Sequence, residues 1–167
     1  LGRDYSIGLG TQAQSVKGGW DNPTDYEEDT MANEKVALVT GASRGVGKGI
    51  AIELGRHGFT VVVTARSVTE RAINNWPGTI GATAEEIESA GGRAVAMRLD
   101  LRDTANIREV FDGIISQLGR IDVVVNNARY ADSGYVTKFV DTDWSDLEAM
   151  IDTNFRAVLY LHHLAVP

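Results

Sequence analysis

The sequence predicts a doubly wound α/β fold, with a parallel sheet covered by helices on both faces. Three observations carry this expectation. From residue 35 onward, short runs of apolar and β-branched residues alternate with segments of helical periodicity. Those runs are apolar almost throughout rather than alternately polar, as strands buried on both faces must be. A glycine-rich turn joins the first strand to the first helix. Right-handed crossovers then favour the strand order 3-2-1-4, and no internal repeat points to another architecture.

Each element follows from its local sequence. Residues 35–40 (KVALVT) form the first strand. Val46, Ile50, Ala51 and Leu54 then recur at helical spacing until Gly58, a suitable stop. Residues 60–65 (TVVVTA) read as a second buried strand, and residues 79–90 as a helix ended by Gly91 and Gly92. Residues 93–99 form the third strand, residues 104–118 a helix that stops at Gly119, and residues 121–125 (IDVVV) the fourth strand. Asp143 is expected to cap a last helix running to about Ala165, with Leu147, Ile151, Phe155, Val158 and Leu159 on its apolar face. The stretch after Arg66, SVTERAINNWPG, is about twice the usual length of such a connection. A packed surface loop, folded back at Trp76, Pro77 and Gly78, is favoured there over a lid edge beside the site.

Bulk properties narrow the function classes. The chain has 167 residues, enough for one domain with a real core. Its 43% hydrophobic and 23% charged residues are ordinary for a globular protein. No stretch approaches the roughly 18 consecutive apolar residues of a membrane span, and no signal-peptide pattern opens the chain. The net charge is −7, of which residues 1–30 hold −4, so no basic face for nucleic acid is expected. Cysteine is absent, which excludes disulfides and thiolate metal sites and points to a reducing cytoplasm. Residues 1–30 are rich in glycine and polar residues without periodicity, and Met31 lies just before the first strand. Residues 1–30 are therefore expected to be a disordered extension (a short docking arm is the alternative), and residues 31–167 the folded domain.

The strongest chemical signal is TGASRGVG, comprising Thr40, Gly41, Ser43, Arg44, Gly45, Val46 and Gly47 around Ala42. Glycines between a strand and a helix permit a tight turn, close backbone approach to a pyrophosphate, and close packing of helix on strand. The helix N-terminus then offers N–H groups and a positive dipole end to phosphates. A simple glycine-rich turn is the bland alternative, weakened by the βαβ setting.

The spacing of these glycines is T-G-x-x-x-G-x-G, and here the sequence resembles the short-chain dehydrogenase/reductase family. Asp100 and Leu101, closing the third strand, match the family's acidic position beside the adenine and its neighbour. Asn126, Asn127 and Ala128 match the start of its N-N-A-G motif, and Asn154 matches its active-site asparagine. The resemblance runs from about residue 35 to 167 with the motifs in order. The long loop and the AEEIESAGG helix are also similar to the branch that includes hydroxysteroid-dehydrogenase-like proteins.

The resemblance implies a Rossmann-type domain and hydride transfer between a nicotinamide cofactor and a small-molecule carbonyl or alcohol. It implies a role for Asn154 beside the proton-relay water and catalytic lysine, and a homo-oligomer when full length. The cofactor's form follows from charge. NAD binders place a carboxylate at the end of the second strand, where this chain has Ala65 followed by Arg66. With Arg44 on the same side, two guanidinium groups can pair with a 2′-phosphate, so NADP(H) is expected over NAD(H). Solvated surface charges are the alternative for each arginine.

Two departures stand out. Arg129 replaces the glycine of N-N-A-G. The family's catalytic Ser and Tyr-x-x-x-Lys, with its later strands, would fall past residue 167, and Tyr130, Tyr135 and Tyr160 are not followed by Lys four residues on. The expectation is a truncated NAD(P)-binding domain, inactive by itself and marginally stable, with a non-catalytic dinucleotide-binding module or sensor as the alternative function. His57, His162 and His163 lack partners at ligand spacing and read as surface or packing residues, with no metal site expected. Asp141, Asp143, Asp146 and Glu148 read as a solvated helix start.

Overall fold

The computed structural model describes residues 34–68, 77–130 and 137–166. The expectations for residues 1–30, Met31, Trp76 and Tyr135 lie outside the described residues. The strands are β1 (Val36–Thr40), β2 (Thr60–Ala65), β3 (Arg93–Arg98) and β4 (Val123–Val125), all parallel and in the order β3-β2-β1-β4. Helices α1 (Gly45–Arg56), α2 (Ile80–Ser89) and α3 (Thr104–Leu118) connect them, followed by α4 (Trp144–Ile151) and α5 (Ala157–Ala165).

The alternation of side chains along the strands divides the core in two. Val36, Leu38 and Val62 face a layer with Ile107, Val110 and Ile114 of α3 and with Ala157 and Leu161 of α5. Val39, Val61 and Val63 face the opposite layer, with Ala51 of α1 and Ile80 and Ile87 of α2. Strand β1 is buried along its whole length because it has a strand on each side and helices on both faces. Strand β3 lies at an edge and exposes Arg93, Ala96 and Arg98.

Helix ends follow their sequence signals. Thr79 accepts from the Ala82 N–H, and Asp103 accepts from the N–H groups of Ala105 and Asn106. Each such cap contributes about 1 kcal/mol. Gly119 ends α3 in the left-handed region at φ 76°.

Two expectations need correction. The fourth strand is shorter than residues 121–125, because Asp122 latches its start to β1 with its side chain. The Asp122 carboxylate accepts from the Val36 N–H at 2.7 Å, and its own N–H donates to the Val36 carbonyl at 2.8 Å. The Arg120 guanidinium, donating to both oxygens of that carboxylate, holds it below the usual carboxylate range, with help from the Val36 N–H.

The last helix is not one α-helix. Residues Asp152–Arg156 wind as a π turn between α4 and α5. Asp143 occupies the N-cap position, but its side chain makes no capping bond. The expected apolar face also turns outward in part, since Ile151, Phe155 and Leu159 are exposed together with Trp144. The inward positions are Ala149, Thr153, Ala157 and Leu161, four residues apart. The expected stripe of Ile151, Phe155 and Leu159 and the inward one of Ala149, Thr153 and Ala157 both recur every four residues, so spacing alone does not decide which of them faces the core.

Candidate nucleotide-binding site

The chain runs outward from β1 to β2 and β3, then returns to β4 on the other side of β1, so the C-terminal ends of β1 and β4 form a switch point. Thr40 and Asn127 stitch these ends together. The buried Thr40 hydroxyl donates to the Val125 carbonyl at 3.2 Å and accepts from the N–H groups of Asn127 and Ala128, each at 3.1 Å. Asn127 Nδ2 donates to the carbonyls of Thr40 at 2.9 Å and Gly41 at 3.3 Å.

This stitching explains two glycines. Gly41 has φ 68°, and a Cβ there would lie 2.8 Å from Ala128 Cα. A Cβ on Gly47 would run into Asn127 Nδ2 and the Gly41 carbonyl oxygen. Both are thus required by contacts within the protein itself. Gly45, at φ 57°, is the one whose missing side chain would meet only open space.

A cavity of about 770 Å³ opens at this switch point, within the range of small-molecule sites. Of the residues expected at the site, all line it except Asn126 and Asn154. Val46 is 74% exposed on the first turn of α1 and lines this cavity. Sequence reasoning did not assign Thr64, Ser67, Leu99, Tyr130 or Thr153, which also line it, as do Ala65 and Arg129. Thr64, Ser67 and Leu99 adjoin motif positions at strand ends and Thr153 adjoins Asn154, a signal that could have found them; Tyr130 lies past the end of the N-N-A-G match.

One end of the cavity is built from backbone. Helix α1 begins at the cavity with no side-chain cap, whereas α2 and α3 are capped by Thr79 and Asp103. Its first-turn N–H groups therefore have no capping side chain to satisfy them, which suits an anion. Beside it Arg44 donates through one terminal nitrogen to the Gly78 carbonyl at 3.1 Å and to the Ser67 hydroxyl at 3.4 Å. A Cβ on Gly78 would strike the Ser43 carbonyl. Ser67, at the start of the long connection, lines the cavity; residues 69–76, on which the expectation of a surface loop chiefly rests, lie outside the described residues. Arg66 follows Ala65 at the end of β2 on the same wall.

Asp100 sits where β3 ends. Its Oδ1 accepts from the Arg102 N–H at 3.1 Å, and its backbone N–H donates to Asn106 Oδ1 at 2.9 Å. Asn126 Oδ1 is buried and meets no hydrogen-bond donor among the described residues. Asn154 lies in the π turn, where its Oδ1 accepts from the Tyr130 N–H at 2.8 Å, while its neighbour Thr153 lines the cavity. Asp146 departs from the solvated reading, because it accepts from the buried Tyr130 hydroxyl. His57 is exposed beside Glu53, and His163 stacks on Tyr160. Among the described residues no cluster of three or more His, Cys, Asp or Glu could hold a metal ion, and no helix is long and apolar enough to cross a membrane.

Comparison with known proteins agrees with this geometry. The family model for short chain dehydrogenases matches residues 35–167. Hydroxysteroid dehydrogenase-like protein 2 of Xenopus laevis is 36% identical over 130 residues, which cover 78% of this chain and 30% of that protein. The 3-oxoacyl-[acyl-carrier-protein] reductase FabG of Staphylococcus aureus is 33% identical over 137 residues, covering 82% of this chain and 51% of that one. A metagenomic short-chain oxidoreductase, solved in complex with NADP, superposes with a TM-score of 0.68 at 35% identity, covering 78% of this chain and 54% of that chain. The chain therefore spans about a third to a half of the length of these relatives. With the sheet order, the glycine turn and the switch-point cavity in agreement, the chain belongs to the short-chain dehydrogenase/reductase family of oxidoreductases.

Proposed function

We propose that residues 31–167 form the NADP(H)-binding part of an oxidoreductase that acts on a carbonyl or alcohol of a small molecule. One observation carries this: a single cavity joins an uncapped helix N-terminus to a wall bearing Arg44 and Arg66, with Ala65 where an NAD binder would place a carboxylate. The structural neighbour that binds NADP supports it.

The residues fit the cofactor by their chemistry. The N-terminus of α1 and Gly45 would receive the pyrophosphate, since a Cβ at Gly45 would meet nothing within 4 Å. Arg44 and Arg66 would pair with the 2′-phosphate, which a carboxylate at Ala65 would repel. Asp100 and Leu101 would border the adenine. Ala128 and Thr153 would border the far end, and Asn154 would support proton transfer there, as in the family the chain belongs to. When bound, the cofactor supplies or accepts hydride at its nicotinamide ring. We place the protein in a reducing cytoplasm, in keeping with its lack of cysteine, and infer a homo-oligomer, in keeping with the exposed Ile151, Phe155 and Leu159.

Titration calorimetry of NADPH and NADH against the wild type and Arg66→Glu tests the reading. NADPH should bind more tightly than NADH. A charge-assisted contact is worth about 1.5–3 kcal/mol, so Arg66→Glu should lower the NADPH/NADH affinity ratio about tenfold or more. Equal loss for both cofactors would show that Arg66 does not read the 2′-phosphate.

A further inference from the structure

Helix α4 has few packing contacts to set its position. Ala149 is the buried residue of α4, Trp144 and Ile151 are exposed, and no side chain caps its N-terminus. The π turn that follows carries Asn154 and buries Thr153. Yet Thr153 must line the cavity from this turn.

Tyr130 contacts both segments at once. It lies just past β4, is 4% exposed, and lines the cavity. Its hydroxyl donates to Asp146 Oδ1 at 2.5 Å, in the first turn of α4, and its backbone N–H donates to Asn154 Oδ1 at 2.8 Å, in the π turn. One residue at the end of β4 therefore grips α4 at its start and just beyond its end. The bond to Asp146 joins a buried hydroxyl to an ionisable carboxylate, the stronger class of hydrogen bond.

We infer that Tyr130 is a positioning residue: through Asp146 and Asn154 it sets the π turn against the segment that follows β4, and so fixes where Thr153 stands at the edge of the cavity and how its neighbour Asn154 is held. Its consequence for turnover rests on the function proposed above. A plain stabilising role would give the same contacts, so the test needs readouts that stability alone does not move.

The test uses the full-length protein and three variants. Tyr130→Phe removes the hydroxyl and keeps the ring. Asp146→Ala removes the acceptor, whereas Asp146→Asn retains one. The first readout is hydrogen–deuterium exchange of the residue-130 amide by NMR. That amide should exchange about tenfold faster in Tyr130→Phe and Asp146→Ala, and at the wild-type rate in Asp146→Asn. The second is steady-state kinetics. In the first two variants kcat should fall about tenfold while KM for NADPH stays within about twofold, and Asp146→Asn should restore kcat. The double variant Tyr130→Phe/Asp146→Ala should be no worse than either single one, since both remove the same bond.

Unchanged exchange in Tyr130→Phe overturns the inference. So does faster exchange with kcat untouched, which would leave a purely structural contact, and so does an Asp146→Asn variant as impaired as Asp146→Ala. A wild-type protein without NADPH-dependent turnover would instead refute the proposed function, and the exchange series would still decide whether Tyr130 holds the π turn.

Discussion

Two glycines on one helix should respond to the same substitution with opposite signs. Gly47 and Gly49 both lie in α1. A Cβ on Gly49 meets nothing within 4 Å, and the residue is exposed. Gly49→Ala should therefore stabilise the fold by about 0.5–1 kcal/mol, the gain from removing a flexible residue from a helix interior. Gly47→Ala gains the same helical preference, but its Cβ would collide with Asn127 Nδ2 and the Gly41 carbonyl. Neither neighbour can move freely, because Asn127 Nδ2 donates to the carbonyls of Thr40 and Gly41. Losing those two bonds costs about 1 kcal/mol each, and forced overpacking adds about 1–3 kcal/mol. After subtracting the helix gain, Gly47→Ala should cost about 2–4 kcal/mol, a large share of a typical domain's 5–15. Urea unfolding followed by circular dichroism reads this directly, without any cofactor. With a slope of about 2 kcal/mol per molar, the middle of the usual range, the two midpoints should differ by about 1–2.5 M. Equal midpoints would refute the packing argument for the glycine turn.

Other expectations follow from the same geometry. Thr40→Val keeps the shape but leaves the N–H groups of Asn127 and Ala128 without the Thr40 acceptor. It should cost about 2–3 kcal/mol by urea unfolding, and a loss below about 0.5 kcal/mol, the scale of an ordinary surface change, would count against the stitch. Asp122→Ala removes the side-chain acceptor of the Val36 N–H and should lower stability at pH 7 by about 1–2 kcal/mol. The folded pKa of Asp122 is depressed, so its contribution is full above the ordinary carboxylate pKa of about 4 and is lost as pH falls through the lower folded value. Thermal melts should therefore show the gap between wild type and variant closing below about pH 4, and a gap that widens there would contradict the assignment. Phe155, 61% exposed beside Ile151 and Leu159, should drive self-association, so Phe155→Glu should raise the concentration at which sedimentation velocity detects a dimer. An unchanged dimer would place the interface elsewhere.

The sequence alone determined the order of elements, the strand order and most of the segments that line the switch-point cavity. These depend on local signals: apolar runs of strand length, helical spacing, turn glycines, and motifs that sit at strand ends. Arg44, Arg66, Asp100 and the glycine turn could be named because each belongs to a short segment whose conformation its own residues dictate. Only the tertiary structure decided why Gly47 must be glycine, since the group it would strike belongs to Asn127, across the switch point on β4's side. It alone assigned Arg44 to Gly78 and Ser67, and Asp122 to the backbone of Val36, across 86 positions of sequence. The rotation of the last helix was equally hidden. The stripe of Ile151, Phe155 and Leu159 recurs every four residues, but so does that of Ala149, Thr153 and Ala157, and neither the choice between them nor the π turn at Asp152–Arg156 is marked in the spacing. The face that the pattern points to is then not the face that packs, and Tyr130, with no local signal of its own, holds the turn that results.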